Sequence, residues 1–149
     1  MATLTQNAGS QLDPGTGQRI VSTGTQTYQG VLTGSGGVLL NSTGGAAITA
    51  DNPDNALGGR LSVDTAGPIA LAGHLGALQV DNSATVRFGT LVVDGAATVA
   101  GAGSVTQTGS SAVTFKGPVS LTAGTVGLFN SGNDFRDVVT VTTTGLAEL

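Results

Sequence analysis

Glycine interrupts this chain so often that the longest stretches without one, at 46–57, 77–88 and 133–144, would each make only about three helical turns. A glycine inside a helix costs about 1 kcal/mol relative to alanine, so a helical bundle is excluded. With 25 glycines in 149 residues, disorder is the next candidate. Val, Leu, Ile and Phe nonetheless supply a quarter of the chain, and only 9% of it is charged. That aliphatic content exceeds the roughly 20% below which a highly charged chain fails to condense. The length suits one domain, residues 1–149, read as a fragment of a much larger chain.

What lies between the glycines is a series of short apolar runs, many alternating, bounded by Gly, Asn, Asp, Ser or Pro. Strands are expected at 19–22, 30–33, 37–40, 47–50, 60–64, 68–72, 77–81, 85–88, 91–94, 97–100, 104–107, 112–115, 118–122, 125–129 and 137–142. So many short strands do not suit a sandwich. Their central apolar positions, Ile69, Leu78, Val86, Val92, Val99, Val105, Val113, Val119 and Val126, recur every six to nine residues. One structural unit is therefore repeated. Three sides at that beat make a coil of about 21 residues, within the range of solenoid repeats. The chain then forms about seven coils, a rod about 30–35 Å long at the usual strand spacing. The fold expected is all-β, a parallel β-helix or β-solenoid; the rival is an antiparallel sandwich or barrel. Gly, Asn and Asp tolerate the positive φ of sharp corners, and 51–55, 81–83 and 94–95 sit where corners are needed.

Charge and cysteine narrow the function. Lys116, Arg19, Arg60, Arg87 and Arg136 are scattered against nine acids, for a net charge of −4. Nucleic acid and anionic membranes demand clustered cations, so no nucleic acid is expected as partner. No apolar run approaches the roughly 20 residues that cross a bilayer, and no membrane insertion is expected. Without cysteine there is no disulfide and no thiolate site. The opening, Met1 to Gln6, lacks the basic and apolar regions of a signal peptide, so it reads as cytosolic or as the start of an excised piece.

Candidate sites are few. In Asn133-Asp134-Phe135, Phe135 is expected to plug a narrow interior while Asn133 and Asp134 bond the backbone of a corner; a binding role for the amide and carboxylate is the alternative. Asn41, Asn82 and Asn130 are expected to stack between coils, satisfying one another's amides. His74, between Gly73 and Leu75, reads as an exposed turn histidine, because no second His and no Cys exists to complete a zinc site. Asp51, Asp54, Asp64, Asp81 and Asp94 raise the question of glycoside chemistry, which needs two carboxylates about 5–9.5 Å apart. Asp64 and Asp81 are closer in sequence than one coil of about 21 residues, and Asp81 and Asp94 closer still. Neither pair is expected to stack. The segments 34–37 and 101–103 lack the following Lys-Ser/Thr of a phosphate cradle and read as turns. Ser110 and Ser111 have no base beside them. Threonine is abundant, but the stretch 66–83 contains none, which breaks the regular Thr face of an ice-binding solenoid. The chain is not expected to be an enzyme, and no catalytic residue, metal or cofactor is assigned.

The stretch Ser104-Val105-Thr106-Gln107-Thr108-Gly109, then Val119-Ser120-Leu121-Thr122-Ala123-Gly124, then Val126-Gly127-Leu128-Phe129-Asn130-Ser131-Gly132-Asn133-Asp134-Phe135 resembles the repeats of filamentous-haemagglutinin-like adhesins and large autotransporter passengers. Gln26-Thr27-Tyr28-Gln29-Gly30 ahead of Val31-Leu32-Thr33 is similar to another repeat start in those proteins. The resemblance rests on these motifs and extends to the remainder only in texture. It implies a right-handed parallel β-helix inside a very large secreted or cell-surface bacterial protein, an adhesin or toxin-delivery stalk. Arg136-Asp137 departs from the small residues usual there, and an unusual local pair is expected. Asn52-Pro53-Asp54-Asn55 is only faintly similar to the motif of the secretion-signal domain, so the segment reads as interior or distal repeats.

On this reading the chain is a rigid rod for host-cell or cell-cell attachment, extracellular in location. The partners implied are a surface receptor or glycan, an outer-membrane transporter during secretion, and end-to-end self-association through unpaired rod ends. The alternatives are a glycan-binding module, with Tyr28 as a surface-facing aromatic, and a carbohydrate-active β-helix enzyme.

Overall fold

The computed structural model describes residues 3–7, 11–12 and 17–149; Met1 and Ala2, part of the opening discussed above, lie outside them. The described residues form sixteen strands and no helix. Every strand pairing is parallel, which excludes the antiparallel rival. On the first face Leu4 pairs with Gln26, Gln26 with Ile48, Ile48 with Ile69 and Ile69 with Val86. The column continues through Val105 and Val126 to Ala147. The stations are unequally spaced in sequence: the step from Ile69 to Val86 is the shortest, and that from Val86 to Val105 is the next shortest. The chain is a β-solenoid of about seven coils, numbered one to seven from Leu4.

Two further faces complete each coil. The second carries Leu57, Leu75, Val93, Phe115 and Phe135 in register. The third carries Val38, Leu61, Leu78, Ala97, Val119 and Val139. Successive strand residues point to opposite sides, so one set from each face fills a narrow interior: Leu40, Ile48, Val63, Val80, Val86, Val99 and Val105 are all buried. On the second face Val93 points inward and is buried, not Val92.

Several expected strands are continuous around corners. Ile69–Asp81 is one strand of 13 residues and Ala97–Gln107 one of 11, each joining two expected pieces. Gln26–Tyr28 and Asp134–Phe135, which lack an aliphatic pattern, are strands because the coils beside them supply the ladder.

Glycine acts chiefly through close approach. At the corner between second and third faces, Gly59, Gly76, Gly95 and Gly117 are stacked so that a Cβ on Gly76 would collide with the Gly58 carbonyl, and one on Gly117 with Gly95. Gly73 differs: its φ is +116°, and a Cβ there would lie 2.6 Å from the Asn55 carbonyl oxygen. It lets coil four turn from first to second face with no loop. Coil five does the same through Gly89 and Thr90, whereas coils three, six and seven place loops there at 51–55, 108–112 and 128–133. Coils four and five are consequently the short ones, and the first corner is indented over them.

Candidate functional site

Asn133 lies in the loop of coil seven and ties it to coil six. Its Oδ1 accepts from the Val113 N–H at 3.0 Å and from Gln107 Nε2 at 2.6 Å. Its Nδ2 donates to the Leu128 carbonyl at 2.6 Å and to Gln107 Oε1 at 3.1 Å. Asn130 shapes the same loop: its Oδ1 accepts from the Gly132 N–H at 2.8 Å, and its carbonyl from the Asn133 N–H at 3.0 Å, an Asx turn. Asp134 does not join this network. Its carboxylate takes the Arg136 Nε–H at 2.6 Å, so Arg136 pairs with Asp134 and not with its neighbour Asp137. Phe135 is partly buried against the core and stacks on Phe115 with centroids 5.7 Å apart.

Sequence reasoning missed the twin of this corner. Asn55 in coil three is buried; its Oδ1 accepts from the Leu32 N–H at 2.8 Å, and its Nδ2 donates to the Ala50 and Ala72 carbonyls at 3.0 and 3.2 Å. Asn52 repeats the turn of Asn130, its Oδ1 accepting from the Asp54 N–H at 2.9 Å. The signal was the shared Asn-x-x-Asn spacing of 52/55 and 130/133. In coil six the register places Val113 at this station, and Gln107 reaches across to donate to the Ser111 carbonyl.

The expected asparagine ladder does not form, because the three residues lie at different stations. Asn41 is on the third face, Asn82 turns the next corner with φ of 56°, and Asn130 is in the coil-seven loop. Asn41 instead donates to Asp64 Oδ2 at 2.8 Å, while its carbonyl accepts from buried Gln26 at 2.7 Å. Gln26 in turn accepts from the Tyr28 hydroxyl at 2.9 Å. Tyr28 is wholly buried, not surface-facing, and burial pushes its phenol well above the ordinary 10.0.

The aspartates are also rearranged. Asp64 and Asp81 do stack as register partners, against expectation, because coil four is shortened to match their own spacing. Asp94 is elsewhere, exposed at the end of the second face. Lys116 Nζ lies 2.7 Å and His74 Nε2 2.8 Å from its two oxygens. The Lys116 bond, then that of His74, holds Asp94 below the ordinary carboxylate value. His74 is exposed as expected, but it sits in strand Ile69–Asp81 and has this partner. Among the described residues, no group of three or more His, Cys, Asp or Glu could hold a metal ion.

The indentation of the first corner is a recess of about 200 Å³ between the loops of coils three and six. Asp51 and Pro53 form one wall, Thr108 and Ser111 the other, and Ala70, Ala72 and Gly89 the floor. A shallower trough of about 380 Å³ on the first face shares Ala70 and Arg87 with it. The Arg87 guanidinium is 4.0 Å from Asp51 Oδ2, an ion pair open to solvent.

Short coils, parallel register on three faces and a recurring asparagine corner define a repeat-built β-solenoid. Residues 75–142 match a family model described as "Repeats of unknown function (DUF5649)". That stretch runs from coil four into coil seven. No curated protein and no solved structure matches.

Proposed function

We propose that this chain is a structural segment of a secreted or surface-displayed bacterial adhesin-like protein, a stiff spacer that serves attachment to host or neighbouring cells. The observation that carries the reading is the first-face register, from Leu4 to Ala147 without a break. A load along such a rod is shared by three hydrogen-bonded ladders and a close-packed interior, and each coil depends only on its neighbours. The resemblance of residues 104–135 to adhesin and autotransporter repeats supports the same reading, as does the match to a repeat family. In the parent protein, an outer-membrane transporter exports the chain and a receptor is met beyond the rod. End-to-end contact with further coils, which would extend the parallel ladders, belongs to the same reading.

The test is made in the parent protein on cells. Removing one whole coil in frame, residues 126–146, which lie outside the recess and the trough, should shorten the rod and leave attachment in place, whereas Val105→Asp, which buries a charge in the column, should abolish display. Loss of attachment from outward-facing substitutions that leave the fold intact would assign the contact to this segment itself and refute the spacer role.

A further inference from the structure

We propose that the recess over coils four and five is a binding site for a saccharide chain that carries isolated carboxylates, with Arg87 as the carboxylate anchor. The shape comes from chain length. Two short coils lie between loops at 51–55 and 108–112, leaving a slot about two strand spacings, or about 10 Å, across. Its floor of Ala70, Ala72 and Gly89 presents almost no side chain. The recess adjoins the trough on the first face, with Ala70 and Arg87 lining both, so an extended chain seated in one lies beside the other.

The chemistry is that of a hydroxylated, sparsely anionic ligand. The contact of Arg87 with Asp51 at 4.0 Å is beyond hydrogen-bond distance, so the guanidinium fork is open to a carboxylate, which it binds through two parallel bonds. Thr90, Thr108 and Ser111 line the recess, and hydroxyls both donate to and accept from sugar hydroxyls. Asp51 offers acceptor oxygens to the same groups. One cation beside an acid, in a chain of net charge −4, does not suit a polyanion, which gains affinity by displacing counterions from many clustered charges. A peptide adding itself as a strand needs an unpaired ladder edge. The strand segments flooring this site, 69–71 and 86–88, are paired with coils on both sides. The site adds a binding role to the spacer and does not depend on it.

The experiment is calorimetric titration of the 149-residue chain with hyaluronate oligosaccharides, in which every second sugar is a uronate. Dextran oligosaccharides, heparin fragments and an oligoglutamate peptide are titrated in parallel. Binding of hyaluronate is expected, weakened by about tenfold or more in Arg87→Gln, as for loss of a charged hydrogen-bonded pair. Ala70→Gln, which fills the floor without changing charge, should weaken it comparably, while Arg19→Gln on the third face should not. Circular dichroism and melting of each variant report that the fold is kept. The proposal is overturned if the folded chain leaves hyaluronate unbound, binds dextran as well, or retains affinity in both groove variants. Tighter binding of heparin or of the peptide would hand the groove to a different partner and overturn it equally. None of these results touches the coil-deletion test, so the two readings fail separately.

Discussion

Replacing Asn55 by alanine tests how the coils are held at the first corner. Three hydrogen bonds are lost, from the Leu32 N–H and to the Ala50 and Ala72 carbonyls. Leu32 is buried, so its N–H is stranded away from water. At about 1 kcal/mol for a typical bond, and about 1–3 kcal/mol for an orphaned buried group, the change costs about 3 kcal/mol. For a chain of this length that lowers the melting temperature by roughly 6–12 °C. Alanine adds no bulk at this station, which Val113 fills in coil six. The cost is therefore one of hydrogen bonding and not of shape. The assay pairs urea denaturation with amide hydrogen exchange, in which the Leu32 amide should lose protection ahead of the core of coils five and six. The same change at Asn133 strands the N–H of buried Val113 and should likewise cost about 2–3 kcal/mol. If Asn55→Ala stays within about 0.5 kcal/mol of the parent, the level of an ordinary surface change, with Leu32 exchange unaltered, the asparagine clamp is not what joins these coils.

Tyr28 is the one tyrosine and tryptophan is absent, so ultraviolet titration reads it alone. Its folded value is raised above the ordinary 10.0, so its contribution to stability is full below that pH and is lost as the pH rises further, with phenolate appearing only as the chain unfolds. Asp94 runs the other way: its folded value lies below the ordinary 3.8, so its contribution is present above 3.8 and lost as the pH falls through the folded value. Carbon-detected NMR should place its midpoint below that of a free aspartate, and Lys116→Gln should move it upward. Gly76→Ala should destabilise the chain by several kcal/mol, because the new Cβ meets backbone that cannot yield; a melting temperature equal to the parent's would show that the corner relaxes.

The repeat was legible because aliphatic residues recur on a steady beat that suits a coil, and the glycine spacing left no room for helices. Asn133 was legible as a corner residue for the same reason. The buried Gln26 was not, since it occupies a station that is aliphatic in the neighbouring coil, Ile48, and is tolerated there because Ile20, Ser22, Asn41 and Tyr28 all hydrogen-bond it. Nor was the stacking of Asp64 on Asp81, because a mean coil of about 21 residues conceals the much shorter step from Ile69 to Val86. His74 lacked a visible partner since Asp94 follows 20 residues later, a separation meaningful only after the local coil length is known.

Composition and periodicity alone determined that this chain is built of short strands and not helices, and made about seven three-sided coils the expected fold, because those properties follow from local chain geometry and from where apolar side chains recur. The parallel pairing that excludes an antiparallel sandwich is seen only in the structure. Only the tertiary structure decided the length of each coil. That length depends on whether a corner is turned by one residue such as Gly73 or by a loop such as 51–55, and backbone contact with the coil beneath settles the choice. Everything placed across coils, from the Asn55 clamp to the Asp94 ion pairs and the recess around Arg87, follows from those unequal lengths.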